Sequence, residues 1–181
     1  MPQTVQAEPQ PVFPALAETF TEENLEAFVR GDGTLAQVLG VRAEEAYGIA
    51  QLAYNLAESG QLDDAAALAE GLVVLNPEDP YFHSLVASIY IRQERTDEAL
   101  GFLDQALEIA PDDVAALVNR GEIRLNRGEL EAALEDFQHA IDRDREGVDP
   151  SGNRARMLVG VATLVLQQAV ERQNGGAGEA S

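Results

Sequence analysis

Residues 80–111 read PYFHSLVASIYIRQERTDEALGFLDQALEIAP. A proline opens this stretch and another closes it, and small residues stand at Ala87, Ala99 and Ala106. Asp97 and Glu98 follow a polar break, where the dipole of a new helix favours negative charge. The pattern is two helices joined by a short turn, with small side chains where the pair must approach closely. The same marks recur outside the stretch. Pro77 returns as Pro111, and Ala65 as Ala99 and then Ala133, at one constant step of roughly 34 residues. Gly60 and Gly128 are separated by twice that step, with Glu94 midway. A glycine there can take a positive φ and stop the first helix.

A fixed period of this length with a helix–turn–helix unit resembles the tetratricopeptide repeat, or TPR. The expected fold is all-α, with three TPR units in a right-handed superhelix, flanked by N-terminal helices and a C-terminal capping helix. The array is expected at 46–145, divided as 46–79, 80–113 and 114–147. A proline-rich leader over 1–14 is expected to be disordered. An N-terminal helical segment spans 15–45, a capping helix 150–173, and a glycine-rich disordered tail 174–181. Thr21 and Thr34 are expected N-caps, and Ser151 is expected to cap the last helix. Terminal helices of this kind cover the apolar faces that end units would expose. Arg120 and Arg124 depart from the repeat pattern, because apolar or aromatic residues usually hold those first-helix positions. The third unit also lacks a closing proline, with Arg145 in its place.

Composition narrows the function. With 12 Lys+Arg against 32 Asp+Glu, the formal net charge is −20. Such a surface repels phosphate backbones and anionic lipid, so neither nucleic acid nor a membrane is an expected partner. The charge also serves solubility directly. No stretch approaches a membrane span in length, and no secretory signal is read at the start, so a cytoplasmic location is expected. The chain has no cysteine. Its two histidines, His83 and His139, lie in different repeats, so no metal site is expected. His83 reads as a packed residue and His139 as solvated. Asp63-Asp64 and Asp112-Asp113 read as helix-start residues rather than acid–base pairs, because adjacent residues on a helix do not face each other. Gly31-Asp32-Gly33-Thr34 lacks the lysine of a phosphate loop. No nucleophile–base pair is visible, so no enzyme activity, catalytic residue or cofactor is expected.

A ligand is expected along the first helices of the units. Their helical period selects Tyr47, Ala50, Tyr54 and Ala57 in the first unit. The second contributes Tyr81, Ser84, Leu85, Ser88 and Ile91, and the third Val118, Asn119, Glu122 and Leu125. The lining positions of the first two units carry no lysine or arginine, so a basic clamp for a peptide carboxylate is not expected. The row suits an extended peptide with apolar or proline side chains, where tyrosines supply rigid contact area.

From Glu26 to Ile109 the chain also resembles a narrower group. AFVRGDGTLAQVLGV and LAYNLAESGQLDD are followed by Asp79-Pro80-Tyr81-Phe82. This is similar to the class II (translocator) chaperones of bacterial type III secretion systems, the SycD/LcrH-like TPR family. The resemblance implies a glycine turn, a short helix and three TPR units. It also implies capture of an extended segment of a secreted translocator in the concave groove, keeping that protein soluble. Homodimerisation through N-terminal helices is implied too, with Leu25, Phe28 and Val29 as the candidate surface. Ala50, Ala57 and Leu62 stand where the family carries aromatics. The alternative reading is a TPR scaffold or adaptor in an assembly unrelated to secretion.

Overall fold

The computed structural model describes residues 20–176. The expected leader over 1–14 and residues 177–181 of the expected tail lie outside them. The described residues form nine helices and no strand. These are α1 (Glu22–Arg30), α2 (Leu35–Leu39), α3 (Ala43–Glu58), α4 (Leu62–Leu75), α5 (Pro80–Arg92), α6 (Thr96–Ile109), α7 (Val114–Asn126), α8 (Leu130–Arg143) and α9 (Pro150–Gly176).

Local chemistry sets the boundaries. The Thr21 hydroxyl accepts from the Asn24 amide at 3.2 Å. Thr34 and Gln37 form a reciprocal capping box, in which each side chain accepts from the other residue's amide. Gly31 and Gly40 end α1 and α2 in the left-handed conformation. Asp79 caps α5 and Asp113 caps α7, so one member of the Asp112-Asp113 pair does close a helix start.

Three helical hairpins follow, α3–α4, α5–α6 and α7–α8, each joined by a tight turn. Gly60 and Gly128 take φ of 85° and 77° in the outer two turns. In the middle turn the same position is Glu94, at φ 62°. A side chain in that region costs about 1 kcal/mol or more, and glycine avoids the cost. The hairpins meet through small residues. Ala53, Ala65, Ala87, Ala99, Ala106, Ala133 and Ala140 are fully buried. Gly121 lies against Phe137, and a methyl at that position would sit 2.5 Å from the ring. Phe82, Phe137, Leu72 and Leu103 fill the space between layers. Truncating a buried phenylalanine of this kind costs about 3–5 kcal/mol.

The last helix starts where expected but differs in its cap, its end and its role. It begins at Pro150, and Asp149 rather than Ser151 caps it, accepting from the Ser151 amide at 2.7 Å. It runs to Gly176, so residues 174–176 of the expected tail are helical. Ala155, one repeat step beyond Gly121, is buried against the third hairpin. The helix therefore enters the stack as the first helix of a fourth unit would. The connection before it is built on one carboxylate. Asp144 accepts from the amides of Val148 and Asp149 at 3.0 and 3.1 Å, and from Arg156 Nη1 at 2.8 Å. Gly147 turns the chain at φ 70°, and Gly152 is close enough to Asp144 that a side chain there would collide with it.

Candidate functional site

The first helices α3, α5, α7 and the start of α9 lie side by side. Glu58 and Arg92, which hold equivalent places in successive units, pair across α3 and α5 at 2.7 Å. Arg154 of α9 reaches back to α7, donating to Asn119 Oδ1 at 2.6 Å and pairing with Glu122 at 2.8 Å. The positions selected from the sequence divide into three groups along this face.

Tyr47, Tyr54 and Tyr81 stand open, at 47%, 48% and 44% exposure. Ser84, Ser88, Ile91, Asn119, Glu122 and Leu125 are half-buried. Ala50, Ala57, Leu85 and Val118 are buried in the core and do not line the face. The physical reason is the flanking of each first helix by its neighbours. Side chains at those positions join the hydrophobic core rather than the open stripe. The expectation that Ala50, Ala57, Leu85 and Val118 line the groove is corrected accordingly, since all four are buried in the core.

The first two units carry an aromatic and acidic surface. Tyr47 and Tyr81 meet with ring centroids 5.7 Å apart, and Tyr47 meets Phe82 at 5.5 Å. The Tyr47 hydroxyl donates to Asp79 Oδ2 at 2.7 Å. That hydrogen bond to a carboxylate, with partial burial, raises the pKa of the phenol. α3 contains no arginine or lysine, and Arg92 at the end of α5 is engaged by Glu58.

The third unit is polar and partly filled. Asn119 and Glu122 are held by Arg154, and burial pushes the Glu122 carboxyl above its ordinary range while Arg154 opposes the shift. Arg120 and Arg124, which depart from the repeat pattern, are explained by Asp136. This carboxylate is 5% exposed; Arg120 grips it with two bonds of 2.7 and 3.1 Å, and Arg124 adds one of 2.8 Å. Arg120 also reaches Asp104 on α6 at 2.9 Å. Reading the sequence alone misses Arg154 and Asp136. The repeat step from Arg120 to Arg154 is the available signal for the first, and a lone acid in an otherwise apolar second-helix face for the second.

His83 is buried, with Nε2 2.7 Å from the Pro77 carbonyl, as a packed histidine should be. His139 is not simply solvated, since its Nε2 lies 2.9 Å from Asp112 on the surface. Among the described residues no group of three or more His, Cys, Asp or Glu is placed to hold a metal ion. Leu25, Phe28 and Val29 are all exposed on α1, which buries none of its residues. No described helix is long and apolar enough to cross a membrane.

Comparison with known proteins places this arrangement. Human tetratricopeptide repeat protein 34 is 32% identical over 78 residues, which is 43% of this chain and 14% of that protein. The chain spans less than a fifth of the length of the curated relatives it matches. Among solved structures, a T3SS complex from Aeromonas hydrophila superposes with a TM-score of 0.69 at 21% identity, covering 81% of this chain and 99% of that one. The Yersinia enterocolitica type III secretion chaperone SycD, in complex with a peptide of the translocator YopD, gives 0.60 at 19% identity, over 68% and 96%. The first TPR of Spaghetti (RPAP3), bound to an HSP90 peptide, gives 0.62 at 19%, over 70% and 97%. At these identities the likeness is one of fold. Two sequence models, both described as tetratricopeptide repeat, match residues 50–114 and 86–159 and together span more than half of the chain. With its three stacked hairpins and constant repeat register, the chain belongs to the tetratricopeptide-repeat family.

Proposed function

We propose that the chain is a protein-binding chaperone that holds an extended segment of a type III translocator-like protein along its first helices, in the bacterial cytoplasm. The observation that carries this is the open tyrosine row Tyr47, Tyr54 and Tyr81 on a face whose first helix has no cation. Rigid aromatic side chains give large contact area at low entropic cost, and an extended peptide supplies side chains to meet them. Carboxylate-ended peptides need a cluster of free cations, and the arginines beside this face, Arg92 and Arg154, are already paired. The glycine turn Gly31–Gly33 before α2, and the fold likeness to SycD, support the translocator class. The exposed Leu25, Phe28 and Val29 support a homodimer through α1.

Co-expression with a secreted, membrane-active protein encoded nearby tests the reading. A soluble complex is expected where the partner alone precipitates; a partner equally soluble alone overturns it. Tyr54→Ala is expected to weaken that complex about tenfold, with unchanged helicity, measured by titration calorimetry and circular dichroism.

A further inference from the structure

A cavity of about 680 Å³ opens between α2, the start of α3 and the loop before α5. That volume falls within the roughly 300–1,000 Å³ of ordinary ligand pockets. Its walls divide by chemistry. Val41, Ala46 and Leu75 give an apolar side, and the tilted rings of Tyr47 and Tyr81 give an aromatic one. Glu78 and Asp79 stand at the polar side. Both Asp79 oxygens already accept one bond, from the Tyr81 amide and the Tyr47 hydroxyl, which fixes the carboxylate beside the rings. Glu78 has no ion-pair partner among the described residues, although ten described arginines sit in ion pairs elsewhere. No arginine or lysine lines the cavity.

We infer that this cavity is a subsite for a basic side chain, an arginine of the bound polypeptide. The inference rests on the peptide-binding reading of the first-helix face and specifies one contact within it. A guanidinium is planar, is weakly hydrated, and stacks on aromatic faces while bonding carboxylates. Here Tyr47 and Tyr81 offer ring faces, and Glu78 and the remaining lone pairs of Asp79 offer acceptors. The apolar wall suits the methylene stem of the side chain. A purely apolar side chain would leave Glu78 without a counterion at a site it partly dries.

The test uses the full chain, labelled with ¹⁵N, titrated with N-acetyl-arginine methylamide and with its neutral isostere, N-acetyl-citrulline methylamide. The arginine derivative is expected to shift amides of residues 76–82, with the citrulline derivative at least fivefold weaker. Glu78→Gln and Asp79→Asn are each expected to weaken arginine binding severalfold. Asparagine keeps an oxygen to cap α5, so the second variant folds. Equal titration by the two derivatives, shifts that bypass residues 76–82, or full binding by both variants overturns the subsite. The outcome separates from that of the parent reading. A partner still captured by the chain while arginine is ignored removes only the subsite. Arginine bound with no partner captured removes the peptide-binding reading.

Discussion

The first two units and the third present the same fold with opposite chemistry. At one register position the second unit carries Tyr90, buried, its hydroxyl donating to Glu70 at 2.6 Å and its ring under Arg95 at 3.7 Å. The third unit, one repeat step on, carries Arg124, bound with Arg120 to the buried Asp136. On the ligand side, Tyr47, Tyr54 and Tyr81 stand open, whereas Asn119 and Glu122 are occupied by Arg154. The repeat geometry thus tolerates either an aromatic or a charged seam. The open and the engaged parts of the binding face are therefore set by a few substitutions within a constant backbone.

Breaking the charged seam should have the largest effect. Asp136→Ala leaves Arg124 without this partner and Arg120 with Asp104 alone, and is expected to cost about 3–5 kcal/mol in urea unfolding. A loss below about 1 kcal/mol would show that Arg120 and Arg124 swing out to solvent, as surface pairs can. Replacing the set together, with Arg120→Met, Arg124→Leu and Asp136→Leu, should restore most of that stability and give the third unit a seam like the second. Next in size is Gly121→Ala, which pushes a methyl against Phe137 and is expected to lower stability by about 1–3 kcal/mol, read by the same unfolding midpoint. An unchanged midpoint would mean that the Phe137 ring can move aside to admit the methyl. The smallest change is a gain. Glu94→Gly removes a side chain from the left-handed region, and should raise thermal stability by about 1 kcal/mol or less, bringing the middle turn into line with Gly60 and Gly128.

The fold is legible because its signals repeat. Ala53 returns as Ala87, Ala65 as Ala99 and Ala106 as Ala140, each one unit on, and Thr21 and Thr34 cap where a threonine before an apolar run should. The face is less legible. A period of three to four residues names a stripe on a helix but not which edge of it a neighbouring helix covers. The period puts Ala50, Ala57, Leu85 and Val118 on the open stripe for that reason, and packing into the core buries them. The role of Arg120 and Arg124 is hidden because Asp136 lies on another helix, where no local spacing rule applies. The cap of α9 is misread because Asp149 and Ser151 both suit the position. The fourth first helix is present in the register, in the step from Gly121 to Ala155.

The Asp144 carboxylate makes the closing helix a proton-linked element. Its bond from Arg156, with the amides of Val148 and Asp149, holds its pKa below the ordinary aspartate range, against the cost of burial. A group lowered by folding contributes stability that is present above its unfolded value and lost as pH falls through the lowered one. Protonation there removes the acceptor that turns the chain into α9 and anchors Arg156. The second hairpin packs through Ala87, Ala99 and Ala106, which do not titrate. Acid is therefore expected to release the end of the stack before its middle, with amides early in α9 losing hydrogen-exchange protection at a pH where those of α5 keep theirs.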